Sequence, residues 1–390
     1  MRRHRPDLLI AILTIVLMVV GMIVIYAIGP MRVNLLNIQF GKQLYQPDHF
    51  FRQQVIFVIL SIVALFVAYK FPYELVSKFA KTVMLVGLGL CLLLAILQLT
   101  NSGMAKCELG GCRWLNFGGI SLQPVEILKV GAVLYFSQLM AKAKREGTLE
   151  KLDFWLPFLI ILGIMLFFVV VMQKDLGSSV PIMATAITIL LIGGMKLKWW
   201  LAFLVGIGMM GMLVIAASPH RIERWLTFRG AEGSDQYHIE NALIAIGTGG
   251  FGGVGIGNSV QATGYLPESI NDSVFAVLGE TFGLIGLVLI MGCFMWLFWR
   301  MIKMVEKLEN DEQRMVVAGV LAWIATQVMV NMMAMTAMIP LTGITLPLLS
   351  YGGTSLITVT AMIGVVFQLS CYTRLKSVPK VYTEGRRMQR

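Results

Sequence analysis

The sequence predicts an all-α polytopic membrane protein with ten transmembrane helices and both termini in the cytoplasm. Hydrophobic residues make up 57% of the 390-residue chain and charged residues only 14%, whereas soluble domains average about 25% charged residues. Apolar runs close to the roughly 20 residues that cross a bilayer recur along the whole chain. The basic residues are concentrated in alternate loops. These three observations exclude a soluble globular protein.

The apolar runs divide the chain into spans and loops. The first run is too long, and too lacking in a small-residue cleavage site, to be a removable signal peptide. We expect residues 1–372 to form a single transmembrane domain and residues 373–390 a basic cytoplasmic tail. The predicted spans are 8–28, 53–69, 82–99, 122–140, 155–172, 179–195, 199–217, 274–299, 315–338 and 348–371.

The orientation follows from the basic residues. Most of the 32 Lys and Arg residues fall in the segments that are cytoplasmic if Met1 is cytoplasmic. The positive-inside rule then places both termini in the cytoplasm. The net charge of +11 has the same origin, and no basic-aromatic pattern indicates a nucleic-acid partner. The long segment 218–273 falls on the outside, where we expect the chemistry.

The five cysteines fall into two groups. Three lie in predicted spans, where a small buried hydrophobe is the usual role. Cys107 and Cys112 share an outside loop, and their spacing allows either a disulfide or two free thiols. The histidines are not spaced as zinc ligands.

The second outside loop leads into the fourth span. Arg113 precedes Trp114, a pair typical of a membrane-interface anchor and also of a cationic site. Glu126 and Lys129 follow at i, i+3 inside the span, so they share one helix face and can neutralise each other. Because a charge inside a membrane costs roughly 3 kcal/mol, this pair is either functional or a purely structural ion pair.

Three further cations are candidates for an anionic substrate. Lys174 and Asp175 stand in a short turn between the fifth and sixth spans. Arg221 and Arg224 begin the long outside segment, and guanidinium groups bind phosphate in bidentate geometry. The alternative for both arginines is a solvated surface.

The segment from Tyr237 to Glu280 is too polar and glycine-rich to serve only as a membrane span. Seven glycines fall within residues 247–257. Such glycines can offer N–H groups to a phosphate, although in membrane proteins they more often form bends or close helix contacts. Asp272 then stands at the mouth of a span and Glu280 lies inside it. We interpret this segment as the floor of an active site.

The last outside loop, residues 340–355, contains prolines, glycines and a Ser350-Tyr351-Gly352-Gly353 turn. Unpaired backbone groups at membrane depth are tolerated only beside protein or a water-filled cavity. We therefore expect a cavity that opens toward the outer leaflet.

Six separated motifs resemble the SEDS family, which contains FtsW and RodA, and cover residues 1 to about 372 in the family's order. Gly257-Asn258-Ser259-x-Gln261 and Thr345-Leu346-Pro347-Leu348 are closer to FtsW. The motifs are Arg113-Trp114 with Gln123-Pro124-x-Glu126, Gln173-x-Asp175-Leu176-Gly177, the glycine run ending at Gln261, Leu266-Pro267-Glu268 with Asp272, Asn331, and the run from Pro340 to Gly353.

The resemblance implies a peptidoglycan glycosyltransferase that polymerises lipid II at the outer face of the bacterial cytoplasmic (inner) membrane during cell division. It implies a class B penicillin-binding protein and other divisome membrane proteins as partners. It makes Asp272, the aspartate after the Leu-Pro-Glu motif, the catalytic residue. The expected substrate-binding residues are Arg113, Glu126, Lys129, Lys174, Asp175, Arg221, Arg224, Ser259, Gln261, Glu268, Glu280 and Ser350.

The sequence departs from the family pattern around the expected headgroup site. Ala262 stands where a lysine is common, and Lys174 where proline is usual. His238, Asn241 and Ala242 replace a Gln-x-x-Gln-Ser pattern. These departures leave the assignment of Asp272 intact.

The implied reaction needs a base, cations for a departing pyrophosphate and an apolar groove for polyprenyl tails. Inversion from an α-linked donor to a β-linked product predicts that Asp272 acts as a general base with a raised pKa. No cofactor is required by the sequence, and a divalent cation (Mg or Mn) on the pyrophosphate is an expectation by analogy. The alternatives are a lipid II flippase or other transporter, an elongation-type polymerase like RodA, and a noncatalytic scaffold.

Overall fold

The computed structural model describes residues 4–100, 103–108, 111–117, 120–216, 222, 224, 228 and 234–373 of the chain. These residues are mostly helical. The helices are α1 (Leu8–Phe40), α2 (His49–Lys70), α3 (Tyr73–Lys78), α4 (Ala80–Leu99), α5 (Pro124–Glu146), α6 (Leu152–Leu166), α7 (Leu176–Ile192), α8 (Leu197–Ala216), α9 (Ser234–Gly249), α10 (Val274–Lys307), α11 (Asp311–Met335) and α12 (Gly353–Leu369).

Within this described part of the chain, eight helical segments are long and apolar enough to cross a membrane. They are α1, α2, α4, α5, α6 with its π-helical continuation to Met172, α10, α11, and α12 with its 3₁₀ continuation to Tyr372. α7 and the apolar part of α8, Leu197–Met212, are shorter. The prediction of a helical multi-pass protein is therefore confirmed, while the count of ten spans and their orientation stay predictions. The predicted starts and ends mostly lie within a few residues of the observed ones, because the apolar runs are long and uninterrupted.

Three short strands correct the prediction of an all-α chain. They are β1 (Ala105–Glu108), β2 (Gly111–Phe117) and β3 (Ile120–Leu122), paired antiparallel in the order β1-β2-β3. This segment is too short and polar to form a span, so its backbone groups are satisfied by pairing with one another. Cys107 and Cys112 lie opposite each other in the hairpin and form a disulfide.

Two segments that the hydropathy pattern predicts as loops contain helix. α1 continues past Pro30 to Phe40, although residues 29–52 were expected to be a loop. α9 occupies residues within the expected loop 218–273, and it packs along α10. Both segments contain polar residues that place them below the threshold of a hydrophobic span, and tertiary packing of one face stabilises them as helices.

The two largest buried clusters lie side by side. One is built mainly by α1, α10, α11 and α12. The other is built mainly by α5, α6 and α7. The pairs α2–α12, α4–α5 and α7–α11 make the most extensive helix contacts. This packing brings the starts of α5, α7, α10 and α12 to one end of the bundle, which we call the motif end.

Candidate active site

Asp272 lies at the motif end, directly before α10. The residue as a whole is partly exposed, but its Oδ1 atom is buried and has no hydrogen-bond partner among the described residues. Burial raises the pKa of Asp272 to about 7, with a further increase from the negative charge of Glu268 and a decrease from Arg224. A carboxyl group with this pKa is suited to accept a proton near neutral pH.

Asn331 on α11 connects the segment of Asp272 to the last motif loop. Its Nδ2 atom donates to the backbone oxygens of Asp272 and Ile344, at 2.6 and 2.7 Å. A Cβ atom built on Gly343 would lie 4.0 Å from Asp272 Oδ2. The 340–352 loop therefore lies beside the carboxylate, and Asn331 fixes both sides of this contact.

Glu268 interacts with a residue that no sequence motif indicated. Arg32 donates to Glu268 Oε1 at 3.0 Å, and Asn271 donates to Oε2 at 2.5 Å. Arg32 belongs to the continuation of α1 beyond the predicted span, so no local signal connected it with Glu268. Glu268 itself has a φ of +47°, a conformation that costs energy in non-glycine residues and is common at functional sites.

His238 on α9 is the second site component that sequence reasoning missed. Its Nε2 atom lies 2.6 Å from Ser273 Oγ, and Ser273 Oγ donates to the Pro267 oxygen at 2.8 Å. Burial lowers the pKa of His238. The sequence showed His238 only as a departure from the family pattern.

Of the two candidate arginines in the long segment, Arg224 is described and Arg221 lies outside the described residues. Arg224 forms an ion pair with Asp235 at 3.2 Å, and it donates to the Leu341 oxygen at 3.3 Å. Its charge lowers the pKa of Asp272. Arg224 thus lies between α9 and the 340–352 loop, on the side of the site where Asp272 is found.

The turn before α7 meets the hairpin. Arg113 donates to the Lys174 backbone oxygen at 3.0 Å, and a Cβ on Gly111 would lie 2.5 Å from the Gln173 oxygen. Lys174 is exposed and has a φ of +52°. Asp175 is the N-cap of α7, because its carboxylate accepts from the backbone and hydroxyl of Ser178 at 3.0 and 2.7 Å. An N-cap is a structural role, so Asp175 is committed to its helix.

Glu126 and Lys129 form the buried ion pair that their spacing predicts. Lys129 Nζ lies 2.7 Å from Glu126 Oε1, and both side chains are at most 4% exposed. Thr358 on α12 donates to the second Glu126 oxygen at 3.3 Å, and Lys129 lies 4.9 Å from the ring centre of Trp323. The pair sits in the first turns of α5 and ties that helix to α11 and α12.

Part of the glycine run packs against the backbone of α10, so its N–H groups are not free to bind phosphate. The N–H groups of Gly253, Val254 and Gly255 donate to the oxygens of Gly249, Glu280 and Thr281 at 2.8, 2.9 and 3.1 Å. Gly283 interrupts α10 with φ +64°, and a Cβ there would lie 2.4 Å from the Gly253 nitrogen. The alternative of close backbone contacts therefore describes the run at Gly253 and Gly255, where the protein uses the N–H groups.

The Glu280 carboxylate is bound by the residues that follow the glycine run. It accepts from Ser259 Oγ at 2.5 Å and from the N–H groups of Val260 and Gln261 at 2.9 and 3.2 Å. The side-chain Oε1 of Gln261 is buried and unpartnered among the described residues. Ser259 and Glu280 thus attach the 250–263 segment to α10.

Ser350 serves the last motif loop in a similar way. Its hydroxyl accepts from the Leu346 N–H at 2.9 Å. The next residue, Tyr351, donates its N–H to the Ile270 oxygen at 2.9 Å. The loop is thereby held against the segment that carries Asp272.

A divalent cation would need several hard oxygen ligands. Among the residues that the structure describes, no group of three or more His, Cys, Asp or Glu side chains is close enough to hold a metal ion. These side chains alone do not make a complete cation site, and we assign no chemical step to a metal.

Curated relatives match this chain along nearly its full length. Stage V sporulation protein E of Bacillus subtilis is 30% identical over 381 residues, covering 96% of this chain and 99% of that protein. A probable peptidoglycan glycosyltransferase FtsW of Coxiella burnetii is 33% identical over 373 residues, covering 94% of this chain and 96% of that protein.

Solved structures share the fold. The rod shape determining protein RodA of Thermus thermophilus superposes with a TM-score of 0.66 at 20% identity, covering 95% of this chain and 98% of that chain. A chain of a peptidoglycan synthase complex, in which polymerization and crosslinking are coordinated, gives a TM-score of 0.69 at 21% identity and covers 94% and 97%.

The family model for cell cycle proteins of the FtsW, RodA and SpoVE type matches residues 7–375. The motifs that carry the resemblance lie within this range. Since the match spans nearly the whole chain and curated relatives are 30% or more identical, the protein belongs to the FtsW/RodA/SpoVE family of cell cycle proteins.

Proposed function

We propose that this protein is a peptidoglycan glycosyltransferase that polymerises lipid II into glycan strands at the outer face of the cytoplasmic membrane. Asp272 is the observation that carries the proposal. Its carboxylate has an oxygen without a partner in the described chain and a pKa raised to about 7. Relatives named probable peptidoglycan glycosyltransferase support the same activity.

Asp272 acts as a general base in a single displacement. Its carboxylate takes the proton of the acceptor hydroxyl, and the hydroxyl oxygen bonds to the anomeric carbon of the donor. The bond from that carbon to the pyrophosphate oxygen breaks, and the polyprenyl pyrophosphate leaves with the electron pair. One displacement inverts the α-linked donor to a β-linked product, so no covalent enzyme intermediate is needed.

The cations at the motif end stabilise the charge of the leaving pyrophosphate. Arg224 lies close enough for its charge to influence Asp272, and Lys174 is exposed in its turn. Arg113 reaches the Lys174 backbone and so orients that turn. The remaining polar motif residues, including Glu126, Lys129, Ser259, Gln261, Glu280 and Ser350, support the headgroup site through the helices that they connect.

A division role, with a class B penicillin-binding transpeptidase and other divisome proteins as partners, is part of the proposal. It is supported by the FtsW-like motif wording and by several relatives named FtsW. The similar fold of a chain from a synthase complex that couples polymerization to crosslinking is consistent with such a partner. An elongation role of the RodA type is the alternative within the same chemistry.

The decisive experiment is lipid II polymerisation by purified Asp272→Asn protein. Asparagine keeps the size of the side chain and removes its basicity, so we expect the rate to fall by roughly 10² to 10⁴ while lipid II still binds. Asparagine is nearly as good a helix cap as aspartate. If Asp272 only capped a helix, the Asp272→Asn protein would therefore keep its activity. A near wild-type rate would refute the general-base assignment.

A lipid II flippase is the second candidate, because the buried Glu126–Lys129 pair is typical of membrane substrate pathways. Against it, the polar motif residues gather at one end of the bundle, and a transporter needs polar sites that both sides can reach. A transporter would move labelled lipid II across a vesicle membrane without forming polymer, and near wild-type polymerisation by Asp272→Asn would remove the catalytic argument against this candidate.

A further inference from the structure

The imidazole of His238 reaches the segment that carries the proposed base. Its Nε2 atom lies 2.6 Å from the hydroxyl of Ser273, the residue that follows Asp272. His238 is 9% exposed and Ser273 is fully buried. These two buried polar groups lie on α9 and at the start of α10. Their contact therefore fixes the distance between the two helices at this point.

The hydrogen bond has one consistent direction. Ser273 Oγ lies 2.8 Å from the backbone oxygen of Pro267, which can only accept. A hydroxyl has one proton to donate, so Ser273 donates to Pro267 and accepts from His238. The Nε2 atom of His238 therefore carries the proton, whether the ring is neutral or charged.

The two hydrogen bonds, from His238 to Ser273 and from Ser273 to Pro267, are called the relay below. The relay closes the segment 267–273 into a loop. Ser273 and Pro267 are its two ends, and the N–H groups of Asn271 and Ser273 both donate to the Glu268 oxygen inside it, at 2.9 and 3.3 Å. On the other side, Asn331 holds the backbone oxygen of Asp272. Without the relay, the loop keeps Asn331 but loses its fixed contact with α9.

We propose that His238 is a positioning residue, which donates through Ser273 to hold the 267–273 loop and keep the Asp272 carboxylate in its buried place. The inference rests on the proposed function, because it explains how the base is held. In this proposal, His238 touches neither the substrate nor the reacting atoms, and it acts on Asp272 only through Ser273.

The test compares two replacements of His238 in the full-length protein. His238→Phe keeps the ring size and removes the donor, so we expect kcat to fall on the order of 10- to 100-fold with little change in KM. His238→Gln offers an amide N–H at a similar reach and should restore most of that loss. Glu240→Gln, an exposed change on the same helix, is the matched control for effects on α9.

A double-mutant cycle tests the relay itself. Ser273→Ala removes the acceptor, so it should reduce kcat about as much as His238→Phe, and the double variant should be no slower than either single one. Additive losses would show that the two residues act separately and would overturn the proposal. If His238→Phe does not fold, Ser273→Ala against the control still tests the contact by its rate, and a wild-type kcat in Ser273→Ala would overturn the proposal.

An infrared titration of the Asp272 carboxyl separates this inference from the activity, with Asp272→Asn identifying the band. If the relay keeps Asp272 buried, the pKa should fall from about 7 toward 3.8 in His238→Phe as water enters, whereas Ser273→Ala also removes a hydroxyl that itself lowers this pKa. It should stay raised in His238→Gln. An unchanged titration in His238→Phe would overturn the inference, whether or not wild-type protein polymerises lipid II.

Discussion

Three acidic residues at the motif end differ in how many hydrogen bonds their carboxylates accept from the protein. Asp175 accepts two hydrogen bonds from Ser178, and Glu280 accepts three from the segment after the glycine run. Asp272 alone of the three has a buried carboxylate oxygen without a partner among the described residues. A satisfied carboxylate stabilises structure, whereas an unsatisfied one remains available to a substrate proton. This contrast favours Asp272 over Asp175 and Glu280 as the base of the proposed reaction.

The pH dependence of polymerisation should show the raised pKa of Asp272. A base works only when ionised, so we expect kcat/KM to fall about tenfold per pH unit below about 7. The negative charge of Glu268 raises this pKa, so Glu268→Gln should move the acidic limb to lower pH. A profile that is flat through the neutral range, or a limb that also appears in Asp272→Asn, would contradict the assignment.

The stability of Asp272→Asn should depend on pH with a defined sign. A carboxyl whose folded pKa lies near 7, above the ordinary 3.8, binds its proton more tightly in the folded state. Wild-type stability therefore falls as pH rises between these values, and it is lowest relative to Asn above pH 7. We expect Asp272→Asn to melt a few degrees higher than wild type at pH 8, with the difference nearly gone at pH 4. Thermal unfolding in detergent measures it.

At the scale of elements, the sequence predicted what depends on local patterns. Apolar runs located the spans, and the i, i+3 spacing predicted the Glu126–Lys129 pair. The three strands, the helical extension that carries Arg32 and the use of the glycine N–H groups depend on contacts between distant segments. Such contacts leave no local signal, because a glycine that touches another backbone and one that binds phosphate look alike in sequence.

At the break in α10, the glycine segment that follows α9 packs against the helix backbone. Gly250 and Phe251 oxygens accept from the N–H groups of Leu284 and Ile285 at 2.8 and 3.1 Å, beside the left-handed Gly283. Insertion of the glycine segment thus replaces the helix hydrogen bonds lost at the break. It also orients the first turns of α10, which begin two residues after Asp272.

Gly283→Ala should therefore destabilise the protein strongly. The new Cβ would lie 2.4 Å from the Gly253 nitrogen, a backbone atom that cannot move aside without shifting the segment. The φ of +64° adds a cost of about 1–2 kcal/mol for a non-glycine residue. Gly292→Ala is the matched control in the same helix, because its new methyl group would meet no atom within 4 Å apart from its chain neighbours and the adjacent backbone of α10. Equal melting temperatures for both variants would contradict this account.

At the scale of the whole molecule, the two ends of the bundle differ in chemistry. The motif end holds Asp272, the hairpin and the last motif loop. The opposite end holds charged pairs that fix the helix termini, with Lys144–Asp311 at 2.8 Å, Lys196–Glu150 at 2.6 Å and Asp7 beside Arg300. Basic residues concentrated at one end predict that this end is cytoplasmic.

The sidedness of these ends is the last prediction, and the proposed function depends on it. Gln43 is exposed after α1 at the motif end, and Lys307 is exposed at the far end of α10. With a membrane-impermeant thiol reagent on intact spheroplasts, Gln43→Cys should be labelled and Lys307→Cys should be labelled only after permeabilisation. The unsubstituted protein, with Cys91 and Cys371 buried and Cys293 partly exposed, measures the background. The reverse pattern would place Asp272 in the cytoplasm, where a growing glycan strand could not reach the cell wall, and would reject polymerisation at the outer face.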